Sequence, residues 1–215
     1  MDDAGVDRDD LAANFVEIET ANRHFGGVRP IVREVLRQRA HSVLDVGCGS
    51  GDVVRALVRE ARRRGRGLDV VASDYSDAVL AIARDRSASE TSIRFERADG
   101  RALPFADSSF DVATCNLALH HFEPPDAVAL LRELRRVSRI TPLVSDLVRS
   151  RVGFAAAYAF AHLIARNRLT RHDAPLSVRR AYTPAEVSAL ARQAGWSAPV
   201  VRRAPYFRMV LTDGG

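Results

Sequence analysis

Val43-Leu44-Asp45-Val46-Gly47-Cys48-Gly49-Ser50-Gly51-Asp52 decides the fold of this chain. A short apolar run carries one acidic residue and then meets three glycines at alternate positions. A strand that turns at once into a helix needs residues without a Cβ at the turn, for positive φ and for close approach of a ligand. The helix after it presents Val53, Val54, Leu57, Val58 and Ala61 at 3.6 spacing. Its free N–H groups and positive dipole end face whatever rests on the loop. Glycines at strand-to-helix turns also serve purely structural ends, so the loop needs support from the rest of the chain.

The spacing departs from the dinucleotide fingerprint G-x-G-x-x-G, because counted from Gly47 the sixth position is Asp52. Asp45 is also out of place where a pyrophosphate must dock. A nucleoside with a positive part near Asp45 suits the loop better, and S-adenosyl-L-methionine, a sulfonium with an ammonium group, is such a ligand. Leu68 to Ser73 is a second apolar run, ending at Asp74, with Tyr75 beside it and Ser76 opening another helix. An acidic residue at that tip is placed to accept both ribose hydroxyls. A third strand (Ile93, Phe95) ends at Ala98-Asp99-Gly100, where a carboxylate can accept a hydrogen bond from an adenine amine. The fourth, Phe110 to Asn116, ends in an amide. Polar tips on successive strands make one site at the carboxyl edge of a parallel sheet.

These segments together resemble the class I S-adenosylmethionine-dependent methyltransferases, in the small-molecule group that includes quinone-biosynthesis enzymes. The matching pieces are Asp45 to Gly51, Ser73-Asp74, Ala98 to Phe105, Ser109 to Val112 and Leu119-His120-His121-Phe122. The match is specific in order and spacing from about Arg29 to Arg139 and looser elsewhere. It implies Gly47 and Gly49 backbones under the methionine part, flanked by Cys48. It also implies Asp74 and Tyr75 at the ribose, Asp99 and Gly100 at the adenine, and Asn116 beside the methionine. Asp45 is implied to position the cofactor through the loop amides and water. The implied fold is α/β and doubly wound, a mostly parallel seven-stranded sheet with an antiparallel C-terminal hairpin strand.

A length of 215 residues and 47% hydrophobic content suit one domain with a sizeable core. The start, Met1-Asp2-Asp3, lacks an apolar leader, and Cys48 and Cys115 suggest neither a disulfide nor a metal pair, so a cytoplasmic setting is expected. The net charge of +5 raises the question of nucleic acid. All 32 basic residues are arginine, however, a composition that fits coding bias in a GC-rich bacterial genome. They are spread over loops and helix faces, with Arg55, Arg59 and Arg62 read as facing solvent, and no aromatic-interleaved basic strip stands out. No nucleic-acid partner and no stable membrane insertion are expected; the oligomeric state is open.

Two segments bear on the substrate. In residues 1–28, Leu11, Phe15, Ile18 and Phe25 recur near helical spacing before Gly26-Gly27. They read as an edge helix or as a lid over the cofactor, with Phe15 as a substrate-pocket candidate. Residues 29–215 then form the cofactor-binding domain, with a helical cap inserted at about 150–180. Its helix, Val152 to Ala165, is nearly all apolar, too short to span a bilayer and expected to be buried. Phe154, Tyr158 and His162 share one face, as packing or as the wall of an apolar pocket. Arg171 to Pro175 reads as a polar loop in which His172-Asp173 is a surface turn or a second catalytic candidate. Thr183-Pro184-Ala185-Glu186 has the capping-box pattern of a helix start, and two strands, Trp196–Val201 and Tyr206–Leu211, close the chain.

Methyl transfer from a sulfonium is an in-line displacement, so position comes first and a base is needed when the nucleophile carries a proton. His121, a few residues past Asn116, is the leading base candidate, with capping of the next helix as its alternative reading; His120 reads as structural. The expected function is methylation of a small apolar acceptor, phenolic, quinol or polyketide-like, at oxygen or carbon. The alternatives are a non-methylating binder of the same cofactor, such as a cyclase or a regulator, and an RNA or protein methyltransferase.

Overall fold

The computed structural model describes residues 8–214. Seven strands form one sheet: β1 Ser42–Val46, β2 Asp69–Asp74, β3 Ile93–Arg97, β4 Phe110–Asn116, β5 Ser138–Leu147, β6 Pro199–Ala204 and β7 Arg208–Asp213. Their order is β3-β2-β1-β4-β5-β7-β6. The first five pair in parallel, and β7 runs antiparallel between β5 and β6. This is the doubly wound sheet with a C-terminal hairpin expected from the sequence. The order reverses between β1 and β4, so the crevice at their carboxyl ends is the natural ligand site.

Helices α1 Arg8–His24, α2 Arg29–Arg37, α3 Asp52–Arg63, α4 Asp77–Arg86, α5 Pro124–Val137, α6 Arg151–Leu163, α7 Arg168–Arg180 and α8 Pro184–Gln193 cover the sheet. Central strands β1 and β4 are buried almost throughout, so their side chains feed two cores. One core joins Leu44, Leu130, Leu134 and Val144 with α5 and α8; the other joins Val43, Leu57, Val70 and Val112 with α2 and α3. The capping box at Thr183 and Glu186 is formed, with both reciprocal hydrogen bonds, and Gly195 follows α8 at φ 87°. The connection into β5 needs no loop: α5 ends at Val137 and the strand begins at Ser138, whose hydroxyl donates to the Leu134 carbonyl.

Three expectations need correction. Arg55 does not face solvent: it is buried, donating to the Ser50 carbonyl, the Ser87 hydroxyl and Glu19, because α1 covers that side of α3. The segment around His172-Asp173 is not a loop but the middle of α7, with Pro175 inside it. Asn167 caps that helix by accepting from the Leu169 N–H, and packing against α1 and α6 offsets the one hydrogen bond a proline removes. Helix α6 is not buried as a whole. Only Gly153 and Ala161 are, while Val152, Tyr158, Leu163 and Ile164 lie exposed.

Candidate active site

The loop after β1 turns through left-handed conformations at Gly47, Gly49 and Gly51, φ 72°, 53° and 78°. A Cβ on Gly47 would stand 2.9 Å from that of Ala118, so this turn closes only around glycine. The N–H groups of Gly47 and Cys48 donate to the Ser73 carbonyl, each at 2.9 Å, which ties the loop to the tip of β2. Asp74 completes the tie by accepting from the Gly49 N–H at 3.2 Å and the Ser76 N–H at 3.1 Å. Asp45 is buried beneath the loop and accepts from Thr114 Oγ1 at 2.6 Å. Burial, reinforced by the charges of Asp52 and Asp74, pushes its carboxyl up to about 7 despite that hydrogen bond. Burial likewise raises the Cys48 thiol well above its ordinary value, which leaves it a packing group.

One cavity of about 610 Å³ runs along the carboxyl edge of the sheet. Asp45, Gly47, Cys48, Gly49, Asp74, Tyr75, Asp99, Gly100 and Asn116 all line it, and Phe15 lines it from α1. Asn116 is buried and its Oδ1 has no hydrogen-bond partner among the described residues. An acceptor atom left this way at a strand tip is suited to a ligand donor. Asp99 is held by Arg101, whose guanidinium donates to both carboxylate oxygens and, through Nη1, to Asp126. Those bonds keep the Asp99 carboxyl below its usual range. Tyr75 is mostly exposed, its ring 5.2 Å from the Arg97 guanidinium carbon.

The roof is α1, α6 and α7. Glu19 of α1 accepts from Ser50 Oγ at 2.6 Å and from Arg55 and Arg86 at 2.8 Å each, pinning the helix to the glycine loop. Glu17 accepts from the backbone N–H groups of Arg166 and Asn167, and Thr170 donates to Asn14, which join α1 to α7. The face that α6 turns to the cavity is Gly153, Ala156, Ala157 and Phe160. Phe154, Tyr158 and His162 are therefore not the pocket wall expected of them. They form a ladder on the outer face, Tyr158 stacked on His162 at 4.0 Å. His172 is also exposed and away from the cavity wall; among the described residues its ring meets Asp173 of the same helix, which does line the cavity.

Leu119–His121 form a single 3-10 turn after β4, and both of its histidines line the cavity. His121 is exposed, and the N-cap of α5 is Glu123, so His121 does not cap that helix. His120 is buried, with Nδ1 at 2.7 Å from Asp146 Oδ1 while its backbone N–H donates to Oδ2 at 3.0 Å. Burial alone would raise the Asp146 carboxyl. The His120 charge and hydrogen bond, with the Leu147 and His120 backbone N–H groups, outweigh it and hold the group low. An ionised carboxylate only accepts, so Nδ1 carries the proton of that bond and Nε2 is the ring nitrogen turned away from Asp146. This pair was missed in the sequence because its members lie on different elements; the signal was Asp146 at the tip of β5.

Residues 43–140 match a family model described as a methyltransferase domain. Within the curated proteins, the chain is 40% identical over 98 residues to a 2-phytyl-1,4-naphtoquinone methyltransferase of Synechococcus elongatus, covering 44% of this chain and 40% of that protein. It is 36% identical over 118 residues to a demethylmenaquinone methyltransferase of Deinococcus radiodurans, covering 54% and 46%. The chain thus spans less than half the length of these curated relatives. Among solved structures, a SAM dependent methyltransferase from Aquifex aeolicus superposes with TM-score 0.67 at 16% identity, covering 96% of this chain and 97% of the other. Magnesium protoporphyrin IX methyltransferase from Synechocystis, with bound SAH, gives 0.63 at 17% identity, covering 98% and 88%. Those two likenesses speak to fold alone; the sequence match to a methyltransferase domain covers the segment from β1 to the start of β5.

Proposed function

We propose that this chain transfers a methyl group from S-adenosyl-L-methionine to a small, largely apolar acceptor of phenolic, quinol or polyketide-like kind, at oxygen or carbon. The observation that carries the reading is one cavity with two unlike halves. Carboxylates at the tips of β1, β2 and β3 and the unpartnered Asn116 Oδ1 line one half. Phe25, Ala157, Phe160 and His120, the last held from behind by Asp146, line the other. The first half suits the cofactor: Asp74 for the ribose, Asp99 and Gly100 for the adenine, Asn116 and the acidic ground under Gly47 for the positively charged methionine part. Residues 8–28 serve as the lid in this reading, and α6 with α7 as the cap. The quinone acceptors for which those two methyltransferases are named point the same way. No helix among the described residues is long and apolar enough to cross a membrane.

When bound, S-adenosyl-L-methionine supplies a methyl group on a positively charged sulfur, open to in-line attack. The protein's part is to hold the acceptor oxygen or carbon against that line and to exclude water, work done by the roof helices. Asp146 fixes the His120 ring so that Nε2 takes the acceptor's proton; His121, exposed at the rim, is left to contact the acceptor. The test is His120→Gln with labelled cofactor and an alkylated phenol. We expect kcat to fall about 10²-fold or more, within the usual reach of general-base help, while the affinity for S-adenosylhomocysteine stays within about twofold. A folded variant with wild-type kcat would remove His120 from the chemistry.

A further inference from the structure

Arg208 is a buried cation with no carboxylate in contact among the described residues. Only 6% of the residue is exposed, and its side chain lines the main cavity. Nε donates to the Phe25 carbonyl at 3.2 Å and Nη2 lies 3.4 Å from Asn22 Oδ1, both of them neutral oxygens. Nη1 has no partner, and among the described residues Arg208 makes no ion pair. Asp146 and Asp52 are near enough for their charges to favour its ionised form, yet burial still pulls its guanidinium below the ordinary value. A buried guanidinium left without a carboxylate is costly, and a donor left unpaired on a cavity wall is suited to a ligand acceptor.

Its place in the sheet says which ligand. Arg208 sits in register with Leu147, the residue after Asp146, on the strand beyond β5. Arg208 stands beyond β5, whose end carries Asp146, and outside the strands under the cofactor half, while Asn22 links it to Asp52 beside the glycine loop, so it lies where the acceptor half meets the cofactor half. We infer that Arg208 is the anion-binding residue of the acceptor site, which recognises an acceptor carrying an ionisable oxygen, a carboxylate or a phenolate, on an otherwise apolar body. This rests on the methyl-transfer reading above. In that reading His120 removes the proton and Arg208 holds the resulting oxyanion, a division of labour that a planar five-donor cation suits.

The probes are 4-hexylbenzoate and its neutral isostere 4-hexylbenzamide, titrated by calorimetry into protein saturated with S-adenosylhomocysteine. In the wild type the benzoate should bind at least about tenfold tighter than the amide, in line with a charge-assisted contact. Arg208→Gln should erase that preference with S-adenosylhomocysteine affinity unchanged, and Arg208→Lys should keep part of it. Equal affinities in the wild type would overturn the inference, and this comparison stands even where the glutamine variant fails to fold. So would a folded Arg208→Gln that keeps the preference, or one that loses S-adenosylhomocysteine instead, because the cation would then serve the cofactor's carboxylate. Failure of the wild type to bind S-adenosylhomocysteine at all is a separate result, which would remove the methyl-transfer reading and this inference with it.

Discussion

Asp45 and Asp74 stand on neighbouring strands under one loop, yet their surroundings give them different work. Asp74 is half-buried and already ties down the Gly49 and Ser76 N–H groups, with its oxygens at the cavity wall. Asp74→Ala should weaken S-adenosylmethionine at least tenfold by calorimetry, since two charge-assisted bonds at about 1.5–3 kcal/mol each are lost. Unchanged affinity in a folded variant would move the ribose elsewhere. Asp45, raised to about 7 by burial, keeps its proton in the folded protein over a range where the unfolded chain has released it. Folding then binds a proton, so this residue's contribution falls as pH rises from the ordinary carboxylate range through about 7. The wild type should therefore lose stability relative to Asp45→Asn across that window, read from thermal melts of the free protein. A cation placed above Asp45 favours its ionised form, so S-adenosylmethionine should bind with proton release near neutrality and more tightly as pH rises; a flat difference between the two proteins would contradict the burial-driven shift.

At the scale of elements, the strands were legible and the roof was not. Apolar runs that end in Asp45, Asp74, Asp99 and Asn116 carry their own boundaries, because a polar residue at a buried strand's end has only the sheet edge to occupy. Helix α6 carries no such mark. A helix apolar all round has no polar face to orient it, and the aromatic spacing of Phe154, Tyr158 and His162 pointed to the wrong side; small residues, Gly153, Ala156 and Ala157, took the inner face where the roof comes close to the cavity. In α7, Pro175 and His172-Asp173 looked like a loop because turn chemistry and helix interior share those residue types in sequence. The orientation is open to a direct trial. Phe160→Ala should raise the acceptor KM several-fold, whereas Phe154→Ala and Tyr158→Ala should leave it within about twofold, the usual span for surface changes. The reverse pattern would turn α6 over.

At the scale of the whole molecule, the cavity is the meeting of three parts: a doubly wound sheet, a glycine loop at its switch point, and a roof locked on by Glu17 and Glu19. The sheet and loop follow from local pattern. Pairs such as His120 with Asp146, or Arg208 with Phe25 and Asn22, join residues 26 to 186 positions apart, and no spacing rule reaches that far. Nothing in the sequence sets Arg208 apart among the 32 arginines, and only folding shows it to be buried. The whole arrangement is best examined with methyl-labelled S-adenosylmethionine offered to alkylated phenols, quinols and hydroxybenzoates beside tRNA, rRNA and protein. Label should appear in the small aromatic acceptors and fall away with His120→Gln; label confined to RNA or protein, or cofactor bound with no label moved to anything, would contradict the assignment of this cavity to small-molecule methylation.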